Sequence, residues 1–115
     1  MRQPTLEDID RAQVNLETAQ IAWRELQPYF ARGATVAVKA ELDLVEVAFQ
    51  MSKDNRPQVA QWLERGQIGR VTDEQALAWY EADTLVWAVV ARPYVLVQEE
   101  KVLLDLLQRL FDTLA

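Results

Sequence analysis

The chain contains no histidine and no cysteine in 115 residues. Histidine is the usual proton carrier near neutral pH, and the cysteine thiolate is the strongest side-chain nucleophile. Without them, His- and Cys-ligated metal sites and most nucleophile–base pairs are excluded. Disulfides are excluded too, so the fold stands on packing alone, as suits a reducing compartment. Serine occurs once, at Ser52, and adjacent Lys53 is too close in sequence to serve as its base. Gly33, Gly66 and Gly69 have no phosphate-cradling spacing, so there is no Walker-type or dinucleotide fingerprint. The longest apolar run, Leu85–Ala91, is far short of the ~20 residues that span a bilayer. Acidic Glu7 and Asp8 stand where a signal peptide needs an apolar stretch. These absences predict a soluble, cytoplasmic chain with no cofactor and no membrane partner.

What is present is ordinary for a globular protein: 50% hydrophobic and 26% charged residues, enough for one domain with its own core. The formal net charge is −6. That sign repels phosphate backbones, so no nucleic-acid partner is expected. Arg outnumbers Lys nine to three, without clustering.

Thr5 and Asp8 resemble a capping box opening a helix through Ile9 and Leu16. The apolar spacing runs on to Ile21, Trp23 and Leu26, and Pro28 should break this helix near Gln27. Gly33 signals the following turn. Thr35–Val38 reads as a strand. Residues 42–51 fit helix or strand, and helix is preferred because Lys53-Asp54-Asn55 ends a run of helix length. Pro57 opens a helix carrying Val59, Trp62 and Leu63, closed by Gly66. Residues 68–71 suggest a short edge strand, and Thr72 with Gln75 caps another helix. Leu85–Ala91, apolar on both faces, suits a central strand covered on both sides. Arg92-Pro93 then allows only an antiparallel hairpin with 94–98.

Residues 100–115 form the cleanest helical pattern. Leu103, Leu106, Leu107, Leu110, Phe111 and Leu114 repeat at helical spacing and demand burial, on the sheet or at a subunit interface.

Three constellations could carry function. Glu41, Asp43 and Glu46 are the weak candidate for a Mg²⁺ or Ca²⁺ site; the plainer reading is a solvated acidic edge, since no glycine-bearing metal loop accompanies them. Trp62, Trp79 and Tyr80, with Glu46 at the rim, could line an aromatic pocket, while a shared core is the simpler reason for four Trp residues. Glu81 and Asp83 end a helix where acids are disfavoured, which marks either an Arg partner, Arg70 or Arg92, or nothing.

The runs Trp23-Arg24-Glu25-Leu26, Phe30-Ala31-Arg32-Gly33, Leu42-Asp43-Leu44-Val45-Glu46-Val47-Ala48, Asp73-Glu74-Gln75-Ala76, Trp87-Ala88-Val89-Val90 and Pro93-Tyr94-Val95-Leu96-Val97-Gln98 resemble, in order and spacing, a family of small bacterial proteins known as a domain of unknown function. The resemblance covers about residues 18–99 and leaves the C-terminal helix outside. It implies a small soluble bacterial protein and supplies no catalytic residue.

The resulting expectation is a single α+β domain over 1–115. A mostly antiparallel sheet of three or four strands is covered by about five helices. The leading function is a non-catalytic interaction or regulatory protein that self-associates or binds another protein. The alternatives are a small-molecule binding module and a carboxylate- or metal-dependent enzyme.

Overall fold

Thr5 opens the first helix, α1 (Leu6–Glu17), through a complete capping box: its hydroxyl accepts from Asp8 N–H, and the Asp8 carboxylate accepts from Thr5 N–H. The structure, a computed structural model, describes residues 5–99 and 110–114. The helix stops at Glu17, and the expected continuation to Gln27 does not form. Residues 19–22 instead make strand β1 (Ala19–Ala22), followed by a 3₁₀ turn (Trp23–Leu26) and a short helix α2 (Gln27–Ala31). Pro28 starts this last helix rather than breaking one, because it sits in the first turn, where no N–H is required.

The remaining elements follow the sequence closely: β2 (Thr35–Val38), α3 (Leu44–Ser52), α4 (Arg56–Glu64), β3 (Ile68–Arg70), α5 (Asp73–Glu81), β4 (Leu85–Ala91) and β5 (Tyr94–Glu99). Residues 110–114 are helical. Gly33 and Gly66 do end helices in the left-handed region, with φ of 71° and 69°. Asp54 and Asp83 do the same after α3 and α5, with φ of 57° and 49°. Asp83 N–H donates to Tyr80 O and Thr84 N–H to Trp79 O, which satisfies the last carbonyls of α5. The acid there is thus a helix stop, and its cation is Arg24 at 3.6 Å, not Arg70 or Arg92.

Five strands, not three or four, form one sheet in the order β1-β4-β5-β2-β3. The β4–β5 hairpin turns at Arg92-Pro93, a cis bond, and pairs antiparallel as the short connection requires. β1 pairs antiparallel with β4, and β3 with β2. β2 and β5 run parallel, so the sheet is mixed.

Alternation along the strands divides the core in two. Val36, Val38, Ile68, Val89, Ala91 and Leu96 face α3 and α4, with Val14 of α1, Trp62 and Trp87 packed alongside. Val86, Val95 and Val97 face the 3₁₀ turn and α5, meeting Trp23, Leu26, Ala76 and Trp79. The chain is therefore one α+β domain with helices on both faces of a five-stranded sheet, and its four Trp residues are shared between two cores.

Candidate functional site

The acidic trio does not converge as a set: Glu41 and Asp43 line one cleft, and Glu46 turns away from it. Asp43 is the N-cap of α3, and its carboxylate accepts from Val45 N–H (2.9 Å) and Glu46 N–H (3.4 Å). Glu46, one turn on, points to α1 instead. Arg11 grips it with two bonds, Nε to Oε2 at 2.9 Å and Nη2 to Oε1 at 3.2 Å, and Gln50 Nε2 adds a third at 2.8 Å. Glu41 lies on the loop before Asp43. Among the described residues, no group of three Asp or Glu side chains is placed to hold a metal ion.

The Arg11 and Gln50 hydrogen bonds hold the Glu46 carboxyl below its ordinary value of 4.5, against a smaller upward push from desolvation. A depressed carboxylate adds stability above the unfolded-state pKa and loses it as pH falls through the folded one. Wild type should therefore exceed Glu46→Gln in stability at neutral pH, with the gap closing below about pH 4.5. A pair this open to solvent is worth at most about 1 kcal/mol. Urea titrations of both proteins at pH 7 and pH 3 measure it, and a gap that widens in acid contradicts the assignment.

The aromatic set does not converge either. Trp62 and Trp79 lie against opposite faces of the sheet. Tyr80 is on the surface under the Arg24 guanidinium, 4.8 Å from the ring centre, and Glu46 is occupied by Arg11. Among the described residues, Trp62 and Trp79 are thus held apart by the sheet between them.

Two clefts open instead where the parallel strands β2 and β5 end. One, of about 210 Å³, is lined by Lys39, Gln75, Trp79, Val97 and Glu99. Trp79 Nε1–H donates to the Glu99 carboxylate at its edge. The wider one, of about 550 Å³, places Glu41, Asp43 and Glu99 around Trp87. Gln98 sits between this cleft and the core, and its Nε2 donates to Lys39 O and Leu42 O, each at 2.8 Å. That side chain lines the wider cleft, yet a lone Gln in an apolar strand gives no sequence signal.

A third concavity is apolar. On the face that carries Trp23, the described residues leave the sheet open beyond the 3₁₀ turn. Ala19, Ile21, Leu26, Tyr29, Ala88 and Val90 line a groove of about 350 Å³, rimmed by Glu17 and Glu25. Val90 is 54% exposed although β4 is an interior strand. The expectation that both faces of β4 are covered therefore holds at Val86 and Val89 and fails at Val90. The C-terminal apolar face is likewise open where it is described: Leu110, Phe111 and Leu114 are 58%, 69% and 84% exposed. Leu103, Leu106 and Leu107 lie outside the described residues, as does most of the expected helix. Among the described residues, no helix is long and apolar enough to cross a membrane.

The family model described as "Protein of unknown function (DUF2288)" matches residues 10–99. PA1075 from Pseudomonas aeruginosa, known from an NMR solution structure, is 43% identical; the match covers 87% of this chain and 93% of that chain, with a TM-score of 0.71. No curated protein matches the chain. The family span takes in the whole sheet, both clefts and the groove, and stops at Glu99, where β5 ends. The chain belongs to the DUF2288 family of proteins of unknown function.

Proposed function

We propose that this chain is a small non-catalytic interaction protein that self-associates through the open sheet face. The observation that carries this reading is the exposure of Val90 on an interior strand, in a groove walled by Ile21, Leu26 and Tyr29. Contiguous exposed apolar surface on a soluble domain marks a contact site. The absence of histidine, cysteine and any activated serine supports the non-catalytic half. Like charges oppose association of copies that each carry −6, so added salt should strengthen it by screening.

The test is the mass in solution by light scattering after gel filtration, at high micromolar concentration. Wild type should run above monomer mass and shift further upward in salt. Val90→Glu should return it to monomer with little change in thermal midpoint, because the side chain is already half in water. A wild type that stays monomeric throughout removes the proposal.

A second reading rests on the smaller cleft, where Lys39 and Glu99 bring opposite charges beside Trp79 and Gln75. That set suits a small zwitterion. A thermal-shift panel of free amino acids is the check, and the absence of any stabilisation disposes of it.

A further inference from the structure

We infer that the groove over Ile21 and Val90 receives the C-terminal helix of a second copy of this chain, the two copies exchanging helices about a two-fold axis. The inference rests on the self-association reading and names its partner surface.

Groove and helix are complementary in kind. Ala19 and Ala88 are small, while Ile21, Leu26, Tyr29 and Val90 are large, so the groove has room for inserted side chains. The C-terminal segment has a sequence suited to fill such a space. Leu103, Leu106, Leu107, Leu110, Phe111 and Leu114 recur at offsets of a single helical face. The described part of that segment, 110–114, is helical, and its Leu110, Phe111 and Leu114 are all exposed. The groove thus stays open while the helix turn that could fill it is solvated.

The path of the chain favours a second copy over the same one. β5 ends at Glu99, opposite Val86, four residues along β4 from Val90 and therefore about 13 Å away. β5 has by then run past Val90 and away from the groove. Returning on the same face means passing Val86, which is fully buried beneath the core around Trp23 and Trp79. A copy related by two-fold symmetry approaches from outside and needs no such reversal. Symmetry also makes two equivalent contacts, which brings the buried surface toward the roughly 1,200–2,000 Å² of a stable interface.

The cysteine-free sequence makes the test direct. Val90→Cys and Leu110→Cys are introduced into separate full-length chains, confirmed folded by circular dichroism, co-expressed, and treated with a short bismaleimide. The expected result is a 90–110 link between copies, identified by peptide mass spectrometry, in a species of dimer mass. Adding Leu114→Asp and Phe111→Asp to both chains should abolish the dimer and the link together. Dimer mass with only 90–90 or 110–110 links overturns the helix exchange and leaves self-association standing. A Val90→Cys/Leu110→Cys double variant that links within one chain, while the mixed pair gives no link, assigns the groove to the chain's own helix and also overturns it. Monomer mass for wild type defeats both this inference and the reading beneath it. Should Val90→Cys fail to fold, Ile21→Cys on the same groove replaces it.

Discussion

Trp23→Ala should remove a large share of the chain's stability and shift its urea midpoint far downward. The indole is fully buried, and its Nε1–H donates to Ala76 O at 3.0 Å, tying the 3₁₀ turn to α5. Its ring meets Trp79 edge-on at 5.1 Å and Phe30 at 5.6 Å. Truncation removes all three contacts and leaves a void among Val71, Val86, Val95 and Val97. Such losses cost about 3–5 kcal/mol, against a total of about 5–15 kcal/mol for a small domain. Trp23→Phe keeps the ring contacts and loses the hydrogen bond, so it should fall between the two. Urea unfolding followed by circular dichroism reads all three proteins. An alanine variant with the wild-type midpoint would show that this core is not where the stability lies.

Gln98→Leu should cost about 1–3 kcal/mol despite conserving size and adding apolar surface. The amide N–H₂ of this buried side chain supplies Lys39 O and Leu42 O. Both carbonyls lose this donor, and Lys39 O keeps a bond from Leu42 N–H. A buried polar group left unmade costs about 1–3 kcal/mol. The damage should be local. The loop these bonds hold leads into Asp43, the N-cap of α3, so amide exchange at Val45 and Glu46 should accelerate before the rest of the helix. Gln98→Glu separates hydrogen bonding from packing, because a carboxylate is acceptor-only and would face two acceptors. It should be worse than Leu at neutral pH. If Gln98→Leu matches wild type and Val45 exchange is unchanged, the loop is held by something else.

Gln98 also marks the limit of what local pattern reveals. Within Tyr94–Glu99 it is one polar residue in an apolar run, and its value depends on two carbonyls more than fifty positions away. The caps at Thr5, Asp43 and Thr72 belong to the opposite class. Each joins a side chain to a backbone N–H two or three residues on, so Thr5 and Thr72 were legible directly. Asp43 is legible as an acid but not as a cap, because its spacing to Glu41 and Glu46 equally fits an acidic trio. Its neighbour Glu46 was read in the same trio and found its partner on α1, thirty-five positions back.

The strand β1 was missed for a related reason. Ala19-Gln20-Ile21-Ala22 continues a helical spacing from Leu16, and nothing within it demands extension. It becomes a strand because β4 offers an unpaired edge, with Ile21 opposite Val86 and Ala19 opposite Ala88. The aromatic pocket failed on parity. Trp62 and Trp79 sit on helices of similar length and pattern, but α4 and α5 cover opposite faces of the sheet, a choice set by topology.

The sequence by itself determined the chemistry this chain lacks, its caps and helix stops at Thr5, Gly33, Gly66 and Thr72, and the β4–β5 hairpin. Those depend on residue type or on neighbours a few positions apart, where spacing alone sets the geometry. Only the tertiary structure decided that β2 and β5 run parallel, that Trp23 and Trp79 meet while Trp62 does not join them, and that Val90 is left uncovered. Each of these depends on which distant element reaches a given face of the sheet first, and no local spacing records that.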